Sequence, residues 1–180
     1  MKIIRSFPKT VPGGRAYVQD DLPRFEMETY DYRGLADAFP DDLLLLEWDI
    51  AVDKDAIERF VAHCEAEPDR VRVAPYRLWA PTGSNDPILN APWAHRAYHY
   101  PAIKATCRFV DEGEPTCHLF GLGMVYLPRD ILRHYSDVAP GHFSDGSFSA
   151  WHSNTVSFET PIAWDVRPVH LHFPIERMGS

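Results

Sequence analysis

The chain has 180 residues, 45% of them hydrophobic and 24% charged, with a formal net charge of −8. That length and mixture fit a single globular domain with a full apolar core. The acidic balance argues against direct binding to nucleic-acid backbones, which calls for a basic surface, but leaves room for an anionic ligand held through a metal.

Three cysteines, Cys64, Cys107 and Cys117, include no Cys-x-x-Cys pair and suit a reducing compartment. No stretch is long and apolar enough for a signal peptide or a membrane span, so a cytoplasmic location is the expectation. Sixteen prolines and 13% aromatic residues predict long ordered loops between a few regular elements.

In chain order, residues 2–7 read as a short strand stopped by Pro8, and the Pro12-Gly13-Gly14 stretch that follows carries turn signals. Residues 16–32 show no period that assigns them an element. Residues 33–39 suggest a turn or two of helix, ended by Pro40. Leu43, Leu44, Leu45 and Leu46 then form an apolar run of the right length for a strand buried on both faces.

A helix over residues 53–67 follows, with Asp53 as its N-cap, Asp55 complementing the dipole and Pro68 as its stop. Ala56, Ile57, Phe60, Val61 and Cys64 make its apolar stripe, so Cys64 belongs to the core and is not a nucleophile. Residues 71–75 alternate like a second strand, which continues into residues 76–79. Residues 80–105, rich in Pro, Asn, Trp, His and Tyr, read as a long surface excursion, with His95 and His99 as loop residues. Residues 116–127 are strand-like, with Gly121 and Gly123 placed for close approach of a ligand or another backbone. Pro128 opens a helix whose stripe is Ile131, Leu132 and Tyr135. Asp145 is placed to cap a further helix carrying Phe148, Trp151 and His152, and residues 166–173 close the chain as a strand. Strands alternating with helices predict one α/β domain with a mostly parallel central sheet flanked by helices.

Glu47 and Asp49 end the leucine strand two residues apart. On an extended strand they face the same way, with Trp48 opposite. Paired carboxylates at the carboxyl end of a buried strand sit where open α/β sheets bind ligands, and they need a cation or proton to compensate them. A divalent cation, Mg²⁺ or Mn²⁺, meets that need. His170 and His172 share a face on the last strand and offer a second pair of ligands. Asp145 is the candidate general base. Trp151 and His152 are candidates for a substrate-binding wall, and Trp48 for contact with a bound cofactor.

These features, in this order, resemble the A-type nucleotide-sugar glycosyltransferases. The matching pieces are the apolar strand ending in Glu47-Trp48-Asp49, the amphipathic helix over 53–67, and the Gly121–Gly123 strand running into the helix after Pro128. The later acid at Asp145 and the closing His170-Leu171-His172 complete the order. The resemblance spans residues 43–173, with residues 1–42 as a short N-terminal arm. It implies that Glu47, Asp49 and His170 or His172 hold Mn²⁺ or Mg²⁺ against the diphosphate of a nucleotide-sugar donor. It further implies that Asp145 activates an acceptor hydroxyl. Two departures stand out. Glu47 occupies a position where the family usually has aspartate. The 46 residues before it are about half of what the family spends on cradling base and ribose, which implies a relative shortened at its N-terminus.

Two other readings remain at this level. The same scaffold could serve as a binding or assembly module using the aromatic 80–105 segment. Alternatively, His170, His172 and a carboxylate could hold iron or zinc for unrelated chemistry.

Overall fold

The structure, a computed structural model, describes residues 1–11, 16–28, 30–76, 97–99 and 108–171. Its first strand, β1 (Lys2–Pro8), is joined by β2 (Arg24–Met27) on one side and by β3 (Leu43–Glu47) on the other, both parallel to it. Beyond β3 lie β10 (Met124–Leu127) and then β5 (Arg72–Val73), and both of these pairings are antiparallel. The five-stranded sheet therefore runs β2-β1-β3-β10-β5 and is mixed, where the alternation of elements predicted a mostly parallel one.

The reason lies in one insertion. β3, the helix α2 (Lys54–Ala66) and β5 form a strand–helix–strand crossover whose two strands run the same way. They are not neighbours, because β10 enters between them from a much later part of the chain, running in the opposite sense. A parallel sheet read from local order cannot anticipate a strand that arrives about 50 residues after β5 and wedges into the gap.

Leu43, Leu44, Leu45 and Leu46 have no exposed surface, as expected of a strand covered on both faces. Leu43 and Leu45 join the core that packs under α1 (Leu35–Ala38), α3 (Arg129–Val138) and α4 (Asp145–Thr155), through Leu35, Leu132, Tyr135 and Phe148. Leu44 and Leu46 face the other way, against Ala56, Phe60 and Cys64 of α2. Each such leucine contributes about 2 kcal/mol of hydrophobic stabilisation, so this strand anchors both layers.

The local sequence signals explain the helices. Asp53 caps α2 by accepting from the Ala56 amide at 2.6 Å. Removing that carboxylate with Asp53→Ala leaves the first-turn amides unsatisfied and is expected to cost about 1 kcal/mol in urea denaturation. Burial drives the Cys64 thiol up to about 12, consistent with a core cysteine. Pro128 immediately precedes α3. α4 is capped by Ser144, which with Ser147 forms a capping box, so Asp145 is the first helical residue and not the cap.

The remaining strands are short. β4 (Ile50–Ala51) pairs antiparallel with β12 (Val169–His170), and β8 (Thr116–Cys117) with β11 (Thr160–Pro161). β6 (Ala97–His99) lies between β7 (Arg108–Phe109) and β9 (Leu119–Phe120). His99 is thus a strand residue and not a loop one, while His95, Cys107 and most of the 80–105 segment lie outside the described residues. The strand-like run at 116–127 is divided among β8, β9 and β10. The close approach expected at Gly123 is made by a side chain: a Cβ there would overlap the ring of Tyr76.

Candidate functional site

β3 stops at Glu47, and the chain turns through Trp48 and Asp49 into β4. The alternation that would set both carboxylates on one side stops with it. Trp48 does not stand opposite Glu47. It is fully buried in the same core as Leu43 and Leu45, edge-on to Phe7 with ring centroids 6.4 Å apart. As a cofactor contact Trp48 could act only as a wall behind other groups.

Glu47, 6% exposed, accepts a hydrogen bond from the Tyr32 hydroxyl at 2.7 Å. Burial first, and then the charge of Glu47 and the bond to it, hold the Tyr32 phenol well above its ordinary range. Tyr32 therefore stays protonated and stays a donor. Asp145 adds to that upward push, and the Ser6 hydroxyl opposes it. Tyr32→Phe removes a hydrogen bond to a buried carboxylate and is expected to lower stability by about 1.5–3 kcal/mol in chemical denaturation at neutral pH.

Asp49 has a different partner. Its Oδ2 lies 3.1 Å from Nε2 of His170, 121 residues later in the chain, and the two residues are 1% and 7% exposed. The backbone enforces this meeting. His170 stands opposite Ile50 in the β4–β12 ladder, and the Leu171 amide donates to the Asp49 carbonyl at 2.7 Å. The His170 ring also packs edge-on against Tyr76 at 5.4 Å. The last strand reaches Asp49, although it pairs with β4 and not with the leucine strand. His172 lies outside the described residues.

Asp145 occupies the Tyr32 side of this region. The Tyr32 amide donates to the Phe143 carbonyl at 2.8 Å, which ties the loop carrying Tyr32 to the start of α4. The Asp145 carboxylate itself accepts from the Gly146 amide at 2.7 Å. Trp151 packs against Tyr135 and Phe148, with centroids 5.0 and 5.9 Å away. His152 is 2% exposed, among Phe120, Phe148 and Thr160. Burial chiefly, with a smaller contribution from Arg70, lowers its imidazole to about 4. His152 is thus a neutral core residue, and in this structure it presents no face to a substrate.

A cavity of about 310 Å³ opens at the carboxyl ends of the parallel strands β1 and β2, lined by Pro8, Lys9, Met27, Glu28 and Tyr30, with Trp48 behind. Tyr30 holds a left-handed backbone at φ 58°, unusual for a bulky side chain. That is the end of an α/β sheet where ligands bind.

Among the described residues, no three His, Cys, Asp or Glu side chains stand as a ready metal cluster. The Asp49–His170 half of the expected ligand set is assembled, and Glu47 is turned to Tyr32. Sequence reasoning passed over two residues. Tyr32 lies in the stretch without a period. Arg5 is 1% exposed inside β1, and its one signal was an arginine directly after Ile3 and Ile4 in a strand.

No family model matches the chain, and no curated protein matches it at a significant level. A crystal structure of A197 from STIV resembles it, with a TM-score of 0.52 over 97% of this chain and 86% of that one, at 15% identity. At that identity the likeness shows the fold alone: an α/β domain whose mixed central sheet is flanked by helices.

Proposed function

We propose that the chain transfers a sugar from a nucleotide-sugar donor to an acceptor hydroxyl in a metal-dependent reaction. The observation that carries this reading is the buried Asp49–His170 pair at the end of β3, joined across 121 residues. Its donor set, a carboxylate beside an imidazole with Glu47 two residues away, suits Mn²⁺ or Mg²⁺. Asp49, His170 and Glu47 would hold the cation, with His172 as a further ligand. When bound, the cation neutralises the diphosphate that leaves the sugar.

The chain's own residues supply the rest. The cavity beside Tyr30 receives the base and ribose at the carboxyl ends of β1 and β2. Asp145, at the first position of α4, takes the proton of the acceptor hydroxyl. Tyr32 stays neutral and orients Glu47 through its hydroxyl. Trp151 and His152 shape the core behind α4.

Thermal unfolding with UDP or GDP, each with and without Mn²⁺, tests the proposal. At a hundredfold excess over Kd the pair of ligands should raise Tm by about 5–11 °C, and neither should do so alone. No shift with any nucleoside diphosphate in the presence of Mn²⁺ would remove the donor from the account.

A further inference from the structure

The turn that carries the acids is held from outside by one buried cation. Arg5 projects from β1, beside β3, where Ser6 stands opposite Glu47. Its Nη1 donates to the Glu47 carbonyl at 2.5 Å and to the Ile50 carbonyl at 3.0 Å, bracketing the turn at both ends. The two carbonyls between them are taken as well. Trp48 accepts from the Val18 amide at 2.8 Å and Asp49 from the Leu171 amide at 2.7 Å.

The guanidinium is oriented from its far side by Asp20, whose Oδ2 accepts from Nε at 2.9 Å and from Nη2 at 2.7 Å. The other Asp20 oxygen accepts from the Leu22 amide at 3.4 Å, which fixes the carboxylate in turn. Arg5 is 1% exposed, so its charge is costly to leave uncompensated, and Asp20, whose side chain keeps 27% of its surface, compensates it from the half-buried edge of the site. A planar fork is needed here. Two carbonyls and one carboxylate lie around a single head group, and a lysine ammonium cannot reproduce that geometry.

We infer that Arg5 is a positioning residue for the acid turn, and that the Arg5–Asp20 pair sets the placement of the Glu47 and Asp49 carboxylates for a divalent cation. The metal half of this inference rests on the proposed function. The geometric half rests on the hydrogen bonds alone. The short segment carrying Val18 and Asp20 then becomes part of the site, although neither residue touches a ligand.

The experiment compares wild type, Arg5→Lys and Asp20→Asn by native-state hydrogen exchange and by Mn²⁺ titration. Asp20→Asn keeps the buried arginine and serves if the Arg5 variant fails to fold. The inference expects faster exchange at the Val18 and Leu171 amides, with the Ile57 amide of α2 unchanged. It also expects Mn²⁺ affinity to fall about 10–100-fold, the usual effect of losing an outer-shell support. Unchanged protection at Val18 and Leu171 in Asp20→Asn would overturn it. So would loosened amides with wild-type Mn²⁺ affinity retained. If wild type binds no Mn²⁺ while the amides of the variants loosen, the Arg5 support of the turn stands and the metal reading falls.

Discussion

Asp49→Asn is expected to abolish the stabilisation that UDP or GDP with Mn²⁺ should give wild type, while the protein without ligands stays folded. The amide is isosteric with the carboxylate and keeps an oxygen for the imidazole of His170, 3.1 Å away in the native site. What it loses is the negative charge, and with it the attraction for a hard cation. A thermal shift of about 5–11 °C in wild type should therefore shrink to zero in the variant. Asp145→Asn is the matching control, because that residue lies on the Tyr32 side of the site. It should leave the ligand-dependent shift intact and lower turnover by about 10²–10⁴-fold, the contribution of a positioned base. Loss of binding in Asp145→Asn, or its retention in Asp49→Asn, would reverse the roles assigned to the two acids.

The second large effect concerns acid. Burial lowers the His152 imidazole from 6.5 to about 4 in the folded protein. The unfolded chain therefore binds a proton at this position that the native state refuses between those values. Stability from the neutral imidazole is complete above pH 6.5 and is lost as pH falls towards 4. The loss amounts to about 3 kcal/mol over that window. His152→Gln removes the titration. Urea midpoints of wild type and variant should converge as pH falls through this range, and parallel curves would show that His152 charges normally in the native state.

How far the sequence foretold this arrangement depends on whether a feature is local. The leucine run, the Asp53 cap, the Cys64 stripe and the Pro128 helix start are set by residues within a turn or two of one another, and each is found as expected, save that Pro128 sits one residue before the helix. The meeting of His170 with Asp49 was legible only as one of two histidines offered to the acidic pair, on the condition that the last strand lay beside the leucine strand. The mixed sheet was not, since the direction of β10 depends on a long excursion that precedes it. β2 escaped for a different reason. Arg24, Phe25, Glu26 and Met27 alternate, but an edge strand of four residues is too short to stand out from the weak alternation around it.

The strand argument for setting Glu47 and Asp49 on one face lost its basis at a boundary of one residue. Strand periodicity places them together only if the strand continues past Glu47, and it ends there. Tyr32 takes the first acid and His170 the second. Nor could a linear reading find Arg5, whose value comes from two carbonyls more than 40 positions away and an aspartate from an unassigned stretch.

The central claim is that the end of β3 holds a divalent cation through Asp49 and His170. Titrating Mn²⁺ into isotope-labelled protein, and following paramagnetic broadening of the backbone amides and histidine rings, tests it directly. The account predicts that the His170 ring and the Ile50 and Leu171 amides broaden first, at substoichiometric metal. Broadening that leaves His170 untouched, or that begins at the surface carboxylates of α2, would contradict it.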